Sequence, residues 1–274
     1  LAMYFFFSFT EAWGDDPGAF LMGEFLQVAD TPSVGFDFVP QVAIPMAVVW
    51  ILTIGVIALG VKKGIARANT VMIPLLAVMF LILVIQAVTL PGAMDGLNAF
   101  FTPNWAALGD PGVWAAAYGQ IFFSLSVGFG IMITYSSYLR RRTNLSGSGL
   151  VVAFANSGFE LLAGIGVFAA LGFLMQATGQ PMEEVAAGGI GLAFIAFPSI
   201  VSSTSFGPLL GALFFASLVF AGFTSMISIV EVVVAAIQDK LGLGRVKATL
   251  AVGIPMALVS MLLLPTTTGL YFLD

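Results

Sequence analysis

The 274-residue sequence contains no cysteine and no histidine, and only 8% of its residues are charged. Without cysteine it cannot form a disulfide framework, and without either residue type it lacks the usual ligands of soft transition-metal sites. The absence of histidine also removes the common partner of a catalytic nucleophile, so we expect no enzymatic activity. Soluble domains carry about 25% charged residues, and the scarcity of charge therefore argues against an ordinary soluble protein.

The chain is rich in hydrophobic residues, which make up 59% of it, and its mean hydropathy is +1.07. A helix needs roughly 20 apolar residues to cross a bilayer, and in lipid it must satisfy its own backbone hydrogen bonds. The predicted helices cover residues 1–13 (in part), 41–60, 69–90, 113–139, 148–176, 207–238 and 246–264. We therefore predict a single membrane domain, an all-α polytopic protein surrounded by the lipid bilayer.

The positive charges predict the topology. All nine Lys and Arg residues lie in three short segments, 61–68, 139–145 and 239–247, and the loops between them are acidic. The positive-inside rule places these basic segments in the cytoplasm of a multi-pass protein of the cell (plasma) membrane. Residues 188–201 are apolar but too short to cross, so 181–205 is predicted to be an external lid. The net charge of −5 reflects this topology and gives no reason to expect a nucleic-acid partner.

The centre of segment 113–139 contains small and hydroxyl-bearing residues, namely Ser124, Ser126, Gly128 and Gly130. Glycine weakens a helix, and serine offers an oxygen to backbone groups that the helix leaves free. An interruption at 124–130 would expose carbonyl groups suited to a cation and amide groups suited to an anion. The same residues also fit close packing of an unbroken helix against its neighbours, and the segment alone does not decide between the two.

The stretch DPGVWAAAYGQIFFSLSVGFGIMITYSSYLRR at 110–141 closely resembles the sixth helix of the neurotransmitter:sodium symporter family, especially its bacterial leucine transporter. The resemblance extends in order through FTEAW at 9–13, GLNAFFTPNW at 96–105, the stretch 156–160 and FAGFTSMISI at 220–229. It covers nearly the whole chain. The resemblance implies sodium-coupled transport of a small amino acid by alternating access, in which no covalent chemistry takes place.

The resemblance also implies that the chain is a fragment of an inverted-repeat, broken-helix bundle of the leucine-transporter type. It would run from the third through the ninth of twelve helices, with residues 1–13 as the outer part of the third. The missing N-terminal helices of the same protein would then be partners of this chain. The alternative function is a symporter of the same fold that carries another small solute.

Two sodium sites are implied by the resemblance, and no organic cofactor. Sodium is a hard cation that prefers oxygen ligands. One site would use Ser124 and Asn156, and the other the Ala221 carbonyl with the hydroxyls of Thr224 and Ser225; both would be completed by the missing first helix. Judged on the residues alone, the hydroxyls of the second set also fit ordinary hydrogen bonds to the preceding helical turn.

The resemblance further implies a substrate pocket formed by Met3, Phe7, Phe123, Ser126, Phe129, Ser225 and Ile229. Aromatic and aliphatic walls with few polar groups suit an apolar amino acid, although the same side chains would also suit a plain hydrophobic core. Phe7 departs from the family, which has a tyrosine there whose hydroxyl contacts the substrate carboxylate. The nearest hydroxyl in this chain belongs to Tyr4.

Glu160 is the only acid within 150–175 and follows Asn156 by one helical turn, so the two lie on the same helix face. An acid inside a membrane segment is a functional candidate by default. The resemblance places Glu160 where chloride-independent members carry an acid, so we expect its charge to replace chloride and to bind a proton for counter-transport. The competing buried acids, Glu11 and Glu231, are interpreted as structural groups.

Three further polar residues match gate positions of the family. Tyr138 and Asp239 correspond to the inner gate, and Gln120 corresponds to the outer gate. Such residues also fit the role of caps and anchors at the membrane interface.

Overall fold

The computed structural model describes residues 1–29, 31, 37–179, 181, 191–202 and 206–272. These residues are mostly helical. The helices are α1 (Ala2–Phe7), α2 (Pro17–Ala19), α3 (Pro40–Ala58), α4 (Ala66–Val88), α5 (Ala93–Phe101), α6 (Pro111–Ser124), α7 (Ile131–Ser137), α8 (Leu145–Thr178), α9 (Phe197–Ser202), α10 (Gly207–Leu241) and α11 (Arg245–Leu263). Wider, π-helical turns occur at Phe20–Phe25, Val61–Ile65 and Leu192–Ala196, and tighter 3₁₀ turns at Trp105–Gly109 and Gly269–Phe272.

Among the described residues, five helical segments are long and apolar enough to cross a membrane: Pro40–Ala58, Val61–Val88, Leu145–Ala177, Gly207–Leu241 and Arg245–Leu263. Four of them lie on the predicted segments with boundaries shifted by up to three residues, whereas Val61–Val88 begins eight residues before the predicted 69–90. The remaining predicted crossing, 113–139, is divided into α6 and α7, and each half alone is too short to span a bilayer.

Local signals explain where these helices begin and end. Prolines occupy the first turns of α3, α6 and α10, where a missing N–H is not needed. Gly179 and Gly242 follow α8 and α10 in the left-handed conformation, which glycine adopts without steric cost.

The first and the external segments differ from the predicted ranges. The helix predicted over 1–13 ends at Phe7, and turns follow over residues 8–15. Within them Glu11 has a positive φ of 47°, which a continuous helix does not allow. Of the predicted lid, 182–190 and 203–205 lie outside the described residues. Its described part, 191–202, is helical and includes α9.

Three buried clusters form the core of the described part of the chain. One joins α4, α5, α8 and α9, and the second joins α3, α10 and α11. The third, which we call the aromatic cluster, contains Tyr4, Phe7, Trp13, Phe20, Phe25, Phe194 and Phe215. Its Trp13 also donates a hydrogen bond of 2.9 Å from Nε1 to Ser202 Oγ, which ties the turns after α1 to the end of α9.

Helices α5 and α8 approach each other closely enough for their backbones to touch. A Cβ atom added to Gly96 would lie 1.8 Å from the Phe168 carbonyl oxygen, and one added to Gly172 would lie 2.4 Å from the Gly92 carbonyl oxygen. Backbone groups cannot move aside as the end of a side chain can, so only glycine fits. This contact holds α5 against the helix that carries Asn156 and Glu160.

We predict that Gly96→Ala destabilises the chain by roughly 1–3 kcal/mol, the usual cost of overpacking. Gly149→Ala on α8 is the control, because no atom lies within 4 Å of the added Cβ. It should be neutral or stabilising by roughly 0.5–1 kcal/mol, since alanine favours a helix. Thermal unfolding in detergent measures both, and equal midpoints for the two variants would show that the close approach is wrong.

Candidate functional site

The interruption between α6 and α7 forms the centre of the candidate site. Helix α6 ends at Ser124, α7 begins at Ile131, and the residues between them form turns. Two residues there have positive φ, Ser126 at 54° and Gly130 at 74°. Glycine adopts this conformation readily, whereas serine does so rarely. The break occupies residues 125–130, between the two helices.

Helix α8 faces this break with two polar side chains, each of which meets one side chain of α6. Asn156 Nδ2 donates to Ser124 Oγ at 3.3 Å, and Gln120 Nε2 donates to Glu160 Oε1 at 3.5 Å. The residues of each helix are one turn apart, so the two contacts form adjacent rungs between α6 and α8. The Gln120–Glu160 contact thus lies one helical turn from the Ser124–Asn156 pair.

The second predicted ion site lies within one turn of α10. Thr224 Oγ1 donates to the Ala221 carbonyl oxygen at 3.0 Å, which is the ordinary back-bond that the residues alone suggested. This bond also places two oxygen atoms side by side. Among the described residues no three His, Cys, Asp or Glu side chains gather as a metal site. The donors present are neutral oxygens, which suit a singly charged hard cation such as sodium.

A cavity of about 900 Å³ lies between α1, α3, α10 and α11. Of the predicted substrate residues, Met3, Ser225 and Ile229 line it. Its walls are mainly aliphatic and aromatic, which suits an apolar ligand. Ser225 follows Thr224 directly, so the cavity reaches the turn that carries the second ion site.

The other predicted substrate residues lie away from this cavity wall. The Phe123 and Phe129 rings flank the interruption and contact each other edge to face at 5.8 Å, with 67% and 47% of their side chains exposed. Ser126 lies in the turn between them. Phe7 packs on Phe20 and Phe25 in the aromatic cluster, because the face of α1 that carries it points toward those rings.

The C-terminal part of α10 holds a charged network that the sequence did not predict. Arg245 forms a bidentate ion pair with Glu231, from Nη1 to Oε1 at 2.7 Å and from Nη2 to Oε2 at 2.6 Å. Tyr138 Oη donates to Glu231 Oε1 at 2.6 Å, and Arg245 Nε donates to the Ile57 carbonyl oxygen at 2.9 Å. Glu231 is completely buried, so its charge depends on these partners.

This network changes the interpretation of two predicted residues. Tyr138, assigned to an inner gate with Asp239, contacts Glu231 instead, while the Asp239 side chain is exposed. Arg245 had been counted only as a charge that sets topology. A single acid within the apolar stretch 208–237, followed at a distance of 14 residues by an arginine at the next helix start, is the signal that could have revealed the pair.

Comparison with known proteins identifies the family. The family model for the sodium:neurotransmitter symporter family matches residues 7–274. The chain belongs to this family. An uncharacterized sodium-dependent transporter of Methanocaldococcus jannaschii is 41% identical over 264 residues, which is 94% of this chain and 53% of that protein. The human sodium- and chloride-dependent GABA transporter 2 is 38% identical over 200 residues, covering 73% of this chain and 33% of that protein.

Among solved structures, this symporter-family chain is similar to MhsT in complex with L-phenylalanine. The TM-score is 0.77 at 35% sequence identity, and the match covers 97% of this chain and 56% of MhsT. The all-α, leucine-transporter-like fold that the sequence predicted is therefore confirmed. These relatives are transporters rather than enzymes, in agreement with the prediction of no enzymatic activity. The chain spans about half the length of the Methanocaldococcus jannaschii transporter and of MhsT, and about a third of the length of the GABA transporter.

We predict that Arg245→Ala destabilises this symporter-family chain by about 3–5 kcal/mol, because it leaves the buried Glu231 charge without its partner. Lys247→Ala removes an exposed charge two residues away and should change stability by less than about 0.5 kcal/mol. Replacing both Glu231 and Arg245 by leucine should cost less than Arg245→Ala alone. Denaturation midpoints give the comparison, and similar losses for Arg245→Ala and Lys247→Ala would contradict the buried pair.

Proposed function

We propose that this chain forms part of a sodium-coupled symporter for a small, apolar amino acid. The observation that carries the proposal is the broken helix α6–α7, whose end at Ser124 meets Asn156 of α8 within 3.3 Å. A helix that stops inside a membrane segment presents carbonyl groups to a cation, and the adjoining side chains add oxygen atoms. Two relatives are named as sodium-dependent transporters, which supports sodium as the coupled ion.

Transport proceeds by alternating access in this proposal. Sodium and substrate bind more tightly to one of two states, so their binding energy shifts the balance between outward-open and inward-open forms. The basic segments 61–68, 139–145 and 239–247 lie on the cytoplasmic side of the plasma membrane. The Ser124–Asn156 and Ala221–Thr224–Ser225 groups hold the two ions, each completed by residues from outside this chain.

The nature of the cavity supports an apolar substrate. Met3 and Ile229 offer aliphatic walls, and Ser225 offers one hydroxyl. MhsT, with which the chain shares its fold, binds L-phenylalanine. We also propose a role in the pocket for Phe7, Phe123, Ser126 and Phe129 once the remaining helices close over the break.

A second candidate is a same-fold symporter for another small solute. The observation that favours it is Phe7, which stands where the family has tyrosine and which packs into the aromatic cluster. The hydroxyl that would contact a substrate carboxylate is therefore missing at this position. Uptake of labelled phenylalanine, measured with unlabelled amino acids or other small solutes as competitors, separates the two candidates. An amino-acid carrier should take up phenylalanine and be inhibited by other amino acids but not by the other solutes. A carrier of another solute should not show this pattern.

We predict that Asn156→Ala and Thr224→Ala each weaken sodium activation in a full-length transporter that contains this chain. Both side chains are half-buried, and removing one polar ligand there should cost about 1–3 kcal/mol, which is roughly a ten- to hundredfold loss of affinity. Thr70→Ala is the control, because Thr70 forms the same kind of back-bond in α4, to Ala66, away from the site. Sodium-dependent uptake into proteoliposomes gives the half-saturating concentrations, and unchanged values in both variants would show the sites to be misplaced.

A separate prediction concerns Glu160. Because its carboxylate lies at the second α6–α8 rung, beside the Ser124–Asn156 pair, it supplies the negative charge that chloride provides in other carriers. Transport should therefore need no chloride, and the return step should carry a proton outward on Glu160. Glu160→Ser should create a chloride requirement, with activity restored as chloride is added.

The control for this experiment is Glu24→Ser, which removes an exposed acid far from the rungs and should leave transport independent of chloride. Uptake is measured with chloride replaced by gluconate. A Glu160→Ser variant that is equally active with and without chloride, or an unmodified protein that already requires chloride, would exclude this role.

A further inference from the structure

Two tyrosines at the end of α7 form hydrogen bonds with α10, and both bonds join residues with the same sequence separation. Tyr135 Oη donates to Ser228 Oγ at 2.9 Å, and Tyr138 Oη donates to Glu231 Oε1 at 2.6 Å. Each pair is separated by 93 residues, so the two bonds repeat along two parallel helices. Ser136 and Ser137 of α7 differ, since their hydroxyls donate to carbonyls of their own turn.

The two tyrosines contact different parts of α10. Tyr138 joins the ion pair of Glu231 with Arg245 at the inner end. Tyr135 instead joins Ser228, whose Oγ donates to the Thr224 carbonyl oxygen at 3.0 Å. A serine hydroxyl has one hydrogen, and Ser228 uses it for Thr224, so it accepts from Tyr135. Thr224 in turn donates to Ala221.

A directed series of hydrogen bonds therefore runs from the inner half of the broken helix to the second candidate ion site. It passes from Tyr135 to Ser228 and on to the Thr224 residue that offers an ion ligand. Ser228 thus contacts the backbone carbonyl of Thr224, while the Thr224 hydroxyl donates to Ala221. A shift of α7 would therefore alter the surroundings of the Thr224 turn through Ser228, which is not itself an ion ligand.

We propose that Tyr135 and Ser228 are positioning residues that couple occupancy of the Ala221–Thr224–Ser225 ion site to the docking of α7 on α10. Sodium binding fixes the Thr224 turn, which stabilises the Ser228 hydroxyl in the position that accepts from Tyr135. Because coupling between two sites is reciprocal, docking of α7 strengthens sodium binding by the same factor. The proposal rests on the proposed function, since it requires that this site bind sodium.

The expected effect follows from the strength of one neutral hydrogen bond. A net contribution of about 0.5–1.5 kcal/mol corresponds to roughly a two- to twelvefold change in affinity. Tyr135→Phe and Ser228→Ala should each raise the half-saturating sodium concentration by about that factor while substrate affinity at saturating sodium stays unchanged. A merely structural role would instead lower the amount of folded protein or the maximal rate.

A double-mutant cycle tests the bond in a full-length transporter that contains this chain. If the bond carries the coupling, Tyr135→Phe together with Ser228→Ala should cost no more than either change alone. Ser228→Thr keeps the hydroxyl and should retain near-normal sodium affinity. Tyr118→Phe, on the exposed surface of α6, and Ser137→Ala, which has only a local bond, are the matched controls.

Hydrogen–deuterium exchange gives an independent readout of docking. Sodium should slow exchange in the peptide covering α7 in the unmodified protein, and Tyr135→Phe should abolish most of that protection. Additive losses in the cycle, or full sodium protection in Tyr135→Phe, would overturn the coupling. If the unmodified transporter shows no sodium dependence at all, the proposed function fails instead, so the two failures are distinguishable.

Discussion

In a bilayer, a backbone that leaves helical geometry must find its polar partners within the protein, because lipid offers none. The break between α6 and α7 is governed by this constraint. Its neighbours are α8 and α10, which have 34 and 35 residues and are the longest helices described. Asn156 meets the end of α6 and Ser228 meets α7, so each half of the broken helix is held by a polar side chain from a continuous one.

Glu160 and Glu231 have the same side chain, but their burial and their neighbouring charges differ. Glu231 is enclosed and neutralised by a bidentate arginine, an arrangement that is expensive to break and therefore suits a fixed joint. Glu160 is half-buried, and its neighbour is the neutral amide of Gln120. In the proposed function, its charge interacts with the ion bound beside Asn156.

The sequence predicted the features that depend on composition and on short-range pattern. Apolar length predicted the spans, because it depends on local composition. The cluster of Ser124, Ser126 and Gly130 left both a broken and a closely packed helix open, and the break was expected from the family resemblance. The pairing of Glu231 with Arg245 was not predicted, since it depends on how tightly α10 and α11 turn back on each other. Likewise, only tertiary packing shows that Phe7 joins the aromatic cluster while Met3, on the same short helix, faces the cavity.

The ion pair between Glu231 and Arg245 also bears on how such a chain enters a membrane during synthesis. An unpaired acid or arginine at the centre of a membrane helix costs about 2.5–3.5 kcal/mol on insertion scales. Here the neutralising arginine emerges from the ribosome 14 residues after the acid, beyond the turn at 242–244. Before the start of α11 is synthesised, α10 would carry Glu231 into lipid without its partner, so we expect the two helices to insert most favourably as one hairpin.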